Sequence, residues 1–188
     1  MFTALIVVDV QNDFCEGGAL GVDGGQAVAR KVAELLSDER GGYGCVVASR
    51  DHHIDPGAHF SSTPDFVDSW PPHCVVGTPG QDFHPALADF DFDAVFDKGS
   101  YSAAYSAFEG SIGGHEDGET LVDWLVRHKV SHVDVVGIAT DHCVRATALD
   151  AAAEGFTTTV IGELTAAVDP GNLQRVRDEF AENDVRIR

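Results

Sequence analysis

The residues Thr140-Asp141-His142-Cys143 lie between a strand-like stretch and a helix-like one. Val133, Val135, Val136 and Ile138 read as a buried strand, with Gly137 allowing close backbone approach. Val144, Ala148 and the alanines at 151–153 recur at helical spacing. Thr140 and Asp141 are good N-cap residues, so the turn presents Cys143 on the first helical turn. There the unpaired N–H groups and the helix dipole favour a thiolate, and the same groups can hold an oxyanion. That is the equipment of a sulfur nucleophile. Taken alone, the stretch also suits a buried structural cysteine, since most free cysteines behave as small hydrophobes.

A second cluster lies in residues 51–80, a long stretch without clear periodicity. Loops of this length in compact domains are usually functional or disordered. Asp51 and His53 are two apart and point the same way on extended backbone. Pro56-Gly57 can turn His59 back toward them, and Pro71-Pro72 stiffens the approach of His73. One carboxylate and three imidazoles suit a divalent metal such as Zn, Fe or Mn. The alternative is a polar loop that is merely rich in histidine. His52 alternates to the other side and reads as a bystander.

Two further charges fall at strand ends. Residues 3–10 form a continuous apolar run, as expected of a central parallel strand, interrupted near its end by Asp9. Asp9 reads equally as a general base or as a solvated strand-end residue. Residues 92–96 form another strand, followed by Asp97-Lys98-Gly99. Open α/β sheets place their sites at the carboxyl edge, which makes a shared site for Asp9, Asp51 and Lys98 plausible. Phe14 is either core or pocket wall, and the Ser/Tyr/Gly-rich residues 99–114 either a lid or a surface loop.

The elements that would position these groups follow from periodicity. Helices are expected over 26–39, 119–129, after Cys143, and over 172–183. Further strands are expected over 43–49, 156–161 and 185–187. Trp124 reads as core. Strand and helix alternate, so the fold expected is a three-layer α/β/α sandwich with a mainly parallel central sheet, as one domain over 1–188.

Composition narrows the function classes. The net charge is −19, with 21 Asp against 10 Glu, which disfavours nucleic acid and anionic membranes as partners. Such acidity also suits a salt-rich cytosol. Residues 1–4 enter the first strand without a basic n-region, and no apolar run approaches membrane-spanning length, so a cytoplasmic protein is expected. Cys15, Cys45, Cys74 and Cys143 are widely spaced and read as reduced thiols.

Five segments in order then resemble one family. They are VDVQNDFCEGGAL at 8–20, RDHHIDPGAHFS at 50–61, SWPPHCVVGTPG at 69–80, DKGSYSAAYSAFEG at 97–110 and GIATDHCVRATALDA at 137–151. The chain resembles the nicotinamidases and pyrazinamidases of the isochorismatase-like cysteine hydrolase superfamily over nearly its whole length. The resemblance implies that fold and a catalytic triad of Asp9, Lys98 and Cys143. It implies one divalent metal ion on Asp51, His53, His59 and His73, zinc foremost. It also implies an oxyanion hole at the N–H groups of Ala139 and Cys143, and a cis peptide between Ile138 and Ala139. Phe14 and Trp70 would wall a pyridine ring, with Tyr105, Ile138 and His142 in the same substrate-contacting set. His52 and Ala58 are small departures inside the metal loop.

The implied reaction is hydrolysis of nicotinamide to nicotinate and ammonia through a thioester, in NAD salvage, with pyrazinamide as a further substrate. The implied assembly is a monomer or homo-oligomer. Rival readings are an isochorismatase, which would not need Cys143, and a carbamoylsarcosine-type amidase, which would not need the Asp51-x-His53 pair with His59 and His73. A peroxide-sensing thiol and a non-catalytic metal-binding module are rivals of other classes.

Overall fold

A computed structural model describes residues 2–188; of the opening expected to enter the first strand, Met1 lies outside the described residues. The first strand, β1 (Phe2–Val8), is apolar at every position from Ala4 onward because both of its faces are covered. Ala4, Ile6 and Val8 enter one core, while Leu5 and Val7 enter the other. Truncating Leu5 to alanine would cost about 2–5 kcal/mol.

The remaining strands are β2 (Cys45–Asp51), β3 (Ala94–Lys98), β4 (Ser111–Ile112), β5 (Val130–Ile138), β6 (Thr157–Ala166) and β7 (Arg186–Ile187). Their order across the sheet is β4-β3-β2-β1-β5-β6-β7. All neighbours are parallel except β3 and β4. The helix α1 (Gly25–Ser37) packs Val28, Val32 and Leu36 on one face of the sheet. On the other face lie α2 (Leu121–Arg127), α3 (Cys143–Ala153) and α4 (Leu173–Glu182), through Trp124, Val144, Ala148 and Phe180. This is the expected three-layer sandwich with a mainly parallel sheet. No helix is long and apolar enough to cross a membrane among the described residues.

The topology fixes where the site lies. The chain leaves β1 for β2 on one side, and β5 flanks β1 on the other. The crevice where strand order reverses opens at the carboxyl ends of β1 and β5. The two strands approach closely there: a Cβ on Gly137, at φ 120°, would sit 2.1 Å from the Val8 carbonyl oxygen. Only glycine fits at that point.

Several expectations are corrected. Asp97 and Lys98 end β3 rather than follow it, and pair in register with Arg50 and Asp51 of β2. The stretch 162–165 belongs to β6, whose pairing with β5 shifts between Val135 and Gly137. Inside the Gly-rich 99–114 stretch, β4 forms an antiparallel edge that no periodicity announces. Neither Thr140 nor Asp141 caps α3: His142 takes the N-cap position and makes no side-chain cap bond. The four cysteines are free thiols, as expected.

Candidate active site

Asp9 follows the last residue of β1, with a left-handed φ of 49° that turns it off the strand. Its amide donates to the Ser49 carbonyl at 3.1 Å, and Ser49 Oγ donates to Asp9 Oδ1 at 2.7 Å. The other oxygen, Oδ2, is buried without an aligned hydrogen-bond donor, and lies 2.8 Å from Lys98 Nζ as an ion pair. Lys98 Nζ also reaches Cys143 Sγ at 3.8 Å and donates to Asp51 Oδ1. The structure therefore brings Asp9, Lys98 and Cys143 together from the ends of three strands. It also shows a contact that spacing did not reveal: one ammonium bridges Asp9 and Asp51. Register explains it, since Asp51 and Lys98 are cross-strand partners.

Burial sets the protonation of this group. It pushes Asp9 above the ordinary carboxylate range against the pull of Lys98. It pushes the Cys143 thiol well up, and the acceptor carboxylate of Asp9 adds to the rise while Lys98 opposes it. Lys98 is driven the other way, well above its usual value: its two carboxylate partners outweigh the cost of burying a cation. Burial and the neighbouring carboxylates thus oppose the thiolate that the helix terminus alone favours, while Lys98 supports it.

The metal-ligand candidates converge from the 51–80 loop. His53, His59 and His73 are buried, and one ring nitrogen of each lies within 4.8 Å of the others. Asp51 Oδ2 approaches His53 Nε2 at 3.4 Å and His73 Nε2 at 3.5 Å. Donor atoms each about 2.1 Å from one shared ion lie roughly 3–3.5 Å apart, which matches. Carbonyl oxygens only accept, so Gly99 O, 2.6 Å from His53 Nδ1, and Pro71 O, 2.8 Å from His73 Nδ1, fix the proton on those nitrogens. Both Nε2 atoms then present bare lone pairs inward, as in metal sites with carbonyl-oriented histidines. His53 Nε2 and His59 Nδ1 are buried without a partner. Burial, with repulsion from His53 and His73, lowers His59 to about 4, so it is a neutral donor near pH 7. The residues present fit a divalent cation. A Cβ on Gly99, at φ 76°, would meet the His53 ring at 2.7 Å, so a glycine there keeps the ring in place.

The loop carrying these ligands is held by pairing that sequence alone hides. His53 bridges to Val75, and Phe60 to Trp70. Buried Gln11 donates to the carbonyls of Asp51 and Gln81, while its Oε1 accepts from the Asp51 amide. Asp13 Oδ2 accepts from the Cys74 amide at 2.7 Å. His52 turns away from the ligand cluster and its Nδ1 lies 2.6 Å from Gln81 Nε2.

Phe14, Trp70, Tyr105, Ile138, Ala139 and His142 line the cleft above Cys143, together with Asp51, His59 and His73. Trp70 Nε1 donates to Tyr105 Oη at 3.2 Å, and both rings pack on His142. Phe14 serves as core and wall at once, and Trp124 is core. Leu20, Val22, Ala104 and Val168 also line the cleft, and sequence reasoning missed them. They come from loops folded back by remote backbone bonds, such as Val22 N–H to Phe14 O. The Ile138–Ala139 peptide is cis. Neither the Ala139 nor the Cys143 N–H donates to a protein group among the described residues. Both residues line the cleft, and what free N–H groups there can do chemically is stabilise an oxyanion.

Residues 3–182 match the family model for the isochorismatase domain. The chain belongs to the isochorismatase family. It is 54% identical over 184 residues to the nicotinamidase/pyrazinamidase of Mycobacterium tuberculosis, covering 98% of this chain and 97% of that one. Among solved structures it resembles the pyrazinamidase of Pyrococcus horikoshii in complex with zinc. The TM-score there is 0.82 at 34% identity, over 100% of this chain and 99% of the other. It also resembles PnC1 of L. infantum in complex with nicotinate, with a TM-score of 0.85 at 32% identity, over 100% and 92%. The two solved structures share the fold that carries Asp9, Lys98 and Cys143 here.

Proposed function

We propose that this chain is a nicotinamidase, one hydrolase domain over 1–188 that converts nicotinamide and water to nicotinate and ammonia, in NAD salvage. The observation that carries the reading is Lys98 Nζ, placed 2.8 Å from Asp9 and 3.8 Å from Cys143 Sγ beside three buried histidines. The relatives' names support the same substrate class.

An amide resists water, so the barrier is divided into acylation and hydrolysis. Cys143 Sγ attacks the carboxamide carbon while Asp9 Oδ2 takes the thiol proton. The N–H groups of Ala139 and Cys143 hold the tetrahedral oxyanion, worth about 3–4 kcal/mol per donor. The C–N bond breaks as Asp9 gives its proton to the departing nitrogen, and ammonia leaves. Water then attacks the thioester with Asp9 as base; the C–S bond breaks and the thiol is restored. Lys98 balances the two carboxylates throughout, so that Asp9 alternates between its forms without stranding a buried charge.

Asp51, His53, His59 and His73 would hold one divalent cation, zinc first with iron or manganese as alternatives, supplying Lewis-acid attraction for the ring nitrogen. Phe14, Trp70, Tyr105, Ile138 and His142 exclude water and hold the ring flat, so the carboxamide faces the sulfur. Pyrazinamide, with a nitrogen in the same position, is a further substrate. The ligand is a small molecule, and a homo-oligomer or monomer in the cytoplasm suits this reading.

The test is ammonia release from nicotinamide, pyrazinamide and benzamide, before and after chelation and metal add-back. The first two should turn over, and benzamide should be much slower. Equal turnover of benzamide and nicotinamide would refute anchoring through the ring nitrogen.

A further inference from the structure

Asp141 is a buried acid in the nucleophile turn to which the reaction assigns nothing. Its carboxylate does not cap α3. Oδ1 accepts from the Val168 amide at 2.8 Å, and Oδ2 from the Asp169 amide at 3.0 Å and from Asn172 Nδ2 at 3.2 Å. The preceding residue adds to the same tie. Thr140 N–H donates to Ala166 O at 2.9 Å, and Thr140 Oγ1 to Thr165 Oγ1 at 2.8 Å. Two successive residues thus fasten the turn, Thr140 to the end of β6 and Asp141 to the segment that leaves it. From the other side, Ala139 O accepts from the amides of His142 and Val144, at 3.1 and 3.0 Å. Asp141 sits midway between the two free amides, two residues after Ala139 and two before Cys143.

We propose that Asp141 is the positioning residue of the oxyanion hole. It anchors the turn to 168–172 and so holds the Ala139 and Cys143 N–H groups in the orientation that grips the tetrahedral intermediate. Bonds to an ionised acceptor are stronger and more directional than neutral ones, which suits a fixed anchor. A hole works because its donors are aimed before charge develops, so a small rotation of either peptide weakens the transition state more than the bound substrate. For its substrate the proposal rests on the nicotinamidase reading, but the aldehyde arm of its test does not.

The test compares wild type with Asp141→Asn, which keeps the shape, removes the charge and sets an NH2 against a backbone N–H. The probe is pyridine-3-carbaldehyde. Cys143 sulfur adds to its carbonyl carbon, the C=O π bond breaks, and the thiol proton ends on the new hydroxyl; that oxygen lies where the oxyanion forms. The variant is expected to lose about 10–100-fold in kcat and a similar factor in aldehyde affinity, with KM for nicotinamide changed less than about threefold.

A lower Tm with unchanged kcat and aldehyde affinity would make Asp141 merely structural and overturn the proposal. So would a raised KM at constant kcat, which would assign Asp141 to the Val168 wall of the cleft. Should Asp141→Asn fail to fold, Asn172→Ala removes only one of the three donors; the same two quantities should fall a few-fold, and no change would overturn the proposal. A wild-type protein that captures the aldehyde but hydrolyses no nicotinamide would sink the amidase reading, and the variant's loss of aldehyde affinity would then decide the proposal alone.

Discussion

The strand β3 carries an ion pair at each end, and the two pairs differ most in their exposure to solvent. Before it, Arg40 meets Asp93 at 2.6 Å with side chains 37% and 34% exposed. At its last residue, Lys98 meets Asp9 at 2.8 Å, both side chains fully buried. Exposed pairs are screened and are worth about 0–1 kcal/mol. A buried pair repays its desolvation poorly, yet removing one partner strands a charge and costs about 3–5 kcal/mol. The carboxyl end of the sheet thus holds an arrangement that stability alone would not favour. It keeps two carboxylates and a thiol within reach of one cation, as the proposed reaction requires.

The largest effect expected from breaking this contrast is in Lys98→Met. Ammonia release should fall by more than about 10³-fold, and the denaturant midpoint should report a loss of about 3–5 kcal/mol. A variant with near-normal stability would mean that Asp9 and Asp51 are not held by this ammonium. Next is removal of the metal. Chelation should abolish turnover and lower Tm, because an ion bound only by the folded ligand set stabilises it by mass action. His53→Ala should abolish both responses. A wild-type Tm indifferent to chelator and to added zinc would argue against a bound ion.

A pair of intermediate exposure sharpens the comparison. Arg145 donates twice to Glu179, and this holds Glu179 below the ordinary carboxylate range. A depressed pKa contributes stability above the unfolded value of about 4.3, and that stability is lost as pH falls through the folded value. Arg145→Met should therefore lower Tm at pH 7 by an amount worth about 1 kcal/mol or less, and the gap to wild type should close at pH values below about 4. A gap that persists in acid would assign the effect to packing of the Arg145 stem.

The smallest effect is at the wet end of β3. Arg40→Met should cost below about 1 kcal/mol at low salt and nothing measurable in 1 M KCl, with activity unchanged. Wild-type stability should itself rise with KCl, because salt screens the repulsion behind a net charge of −19. Activity that peaks in dilute buffer and falls in molar KCl would count against adaptation to salt.

How much of this was legible in the residues follows the range of the interactions. Local signals were readable: the apolar run of β1, the helical spacing after Cys143, and the glycine at 137. Charges at strand ends pointed to one edge because a parallel sheet has one. His53, His59 and His73 were readable from their types within one loop, and Asp51 from its place at the end of the strand before it. What failed depended on remote partners. Asp141 has the composition of a cap, but its acceptors are claimed by amides 27 and 28 residues away. The bond from Lys98 to Asp51 follows from register between β2 and β3, which spacing does not set. Leu20, Val22, Ala104 and Val168 reach the cleft on irregular backbone that has no period to read. The helix terminus that favours a thiolate is legible locally, whereas the burial that opposes it is a property of the whole fold.

The most direct test of the sulfur chemistry is rapid-quench mass spectrometry of the protein mixed with nicotinamide. A nicotinoyl group should appear on the peptide containing Cys143 within one turnover and vanish as ammonia and nicotinate accumulate. No adduct at any quench time, with Cys143→Ala still releasing ammonia, would contradict it.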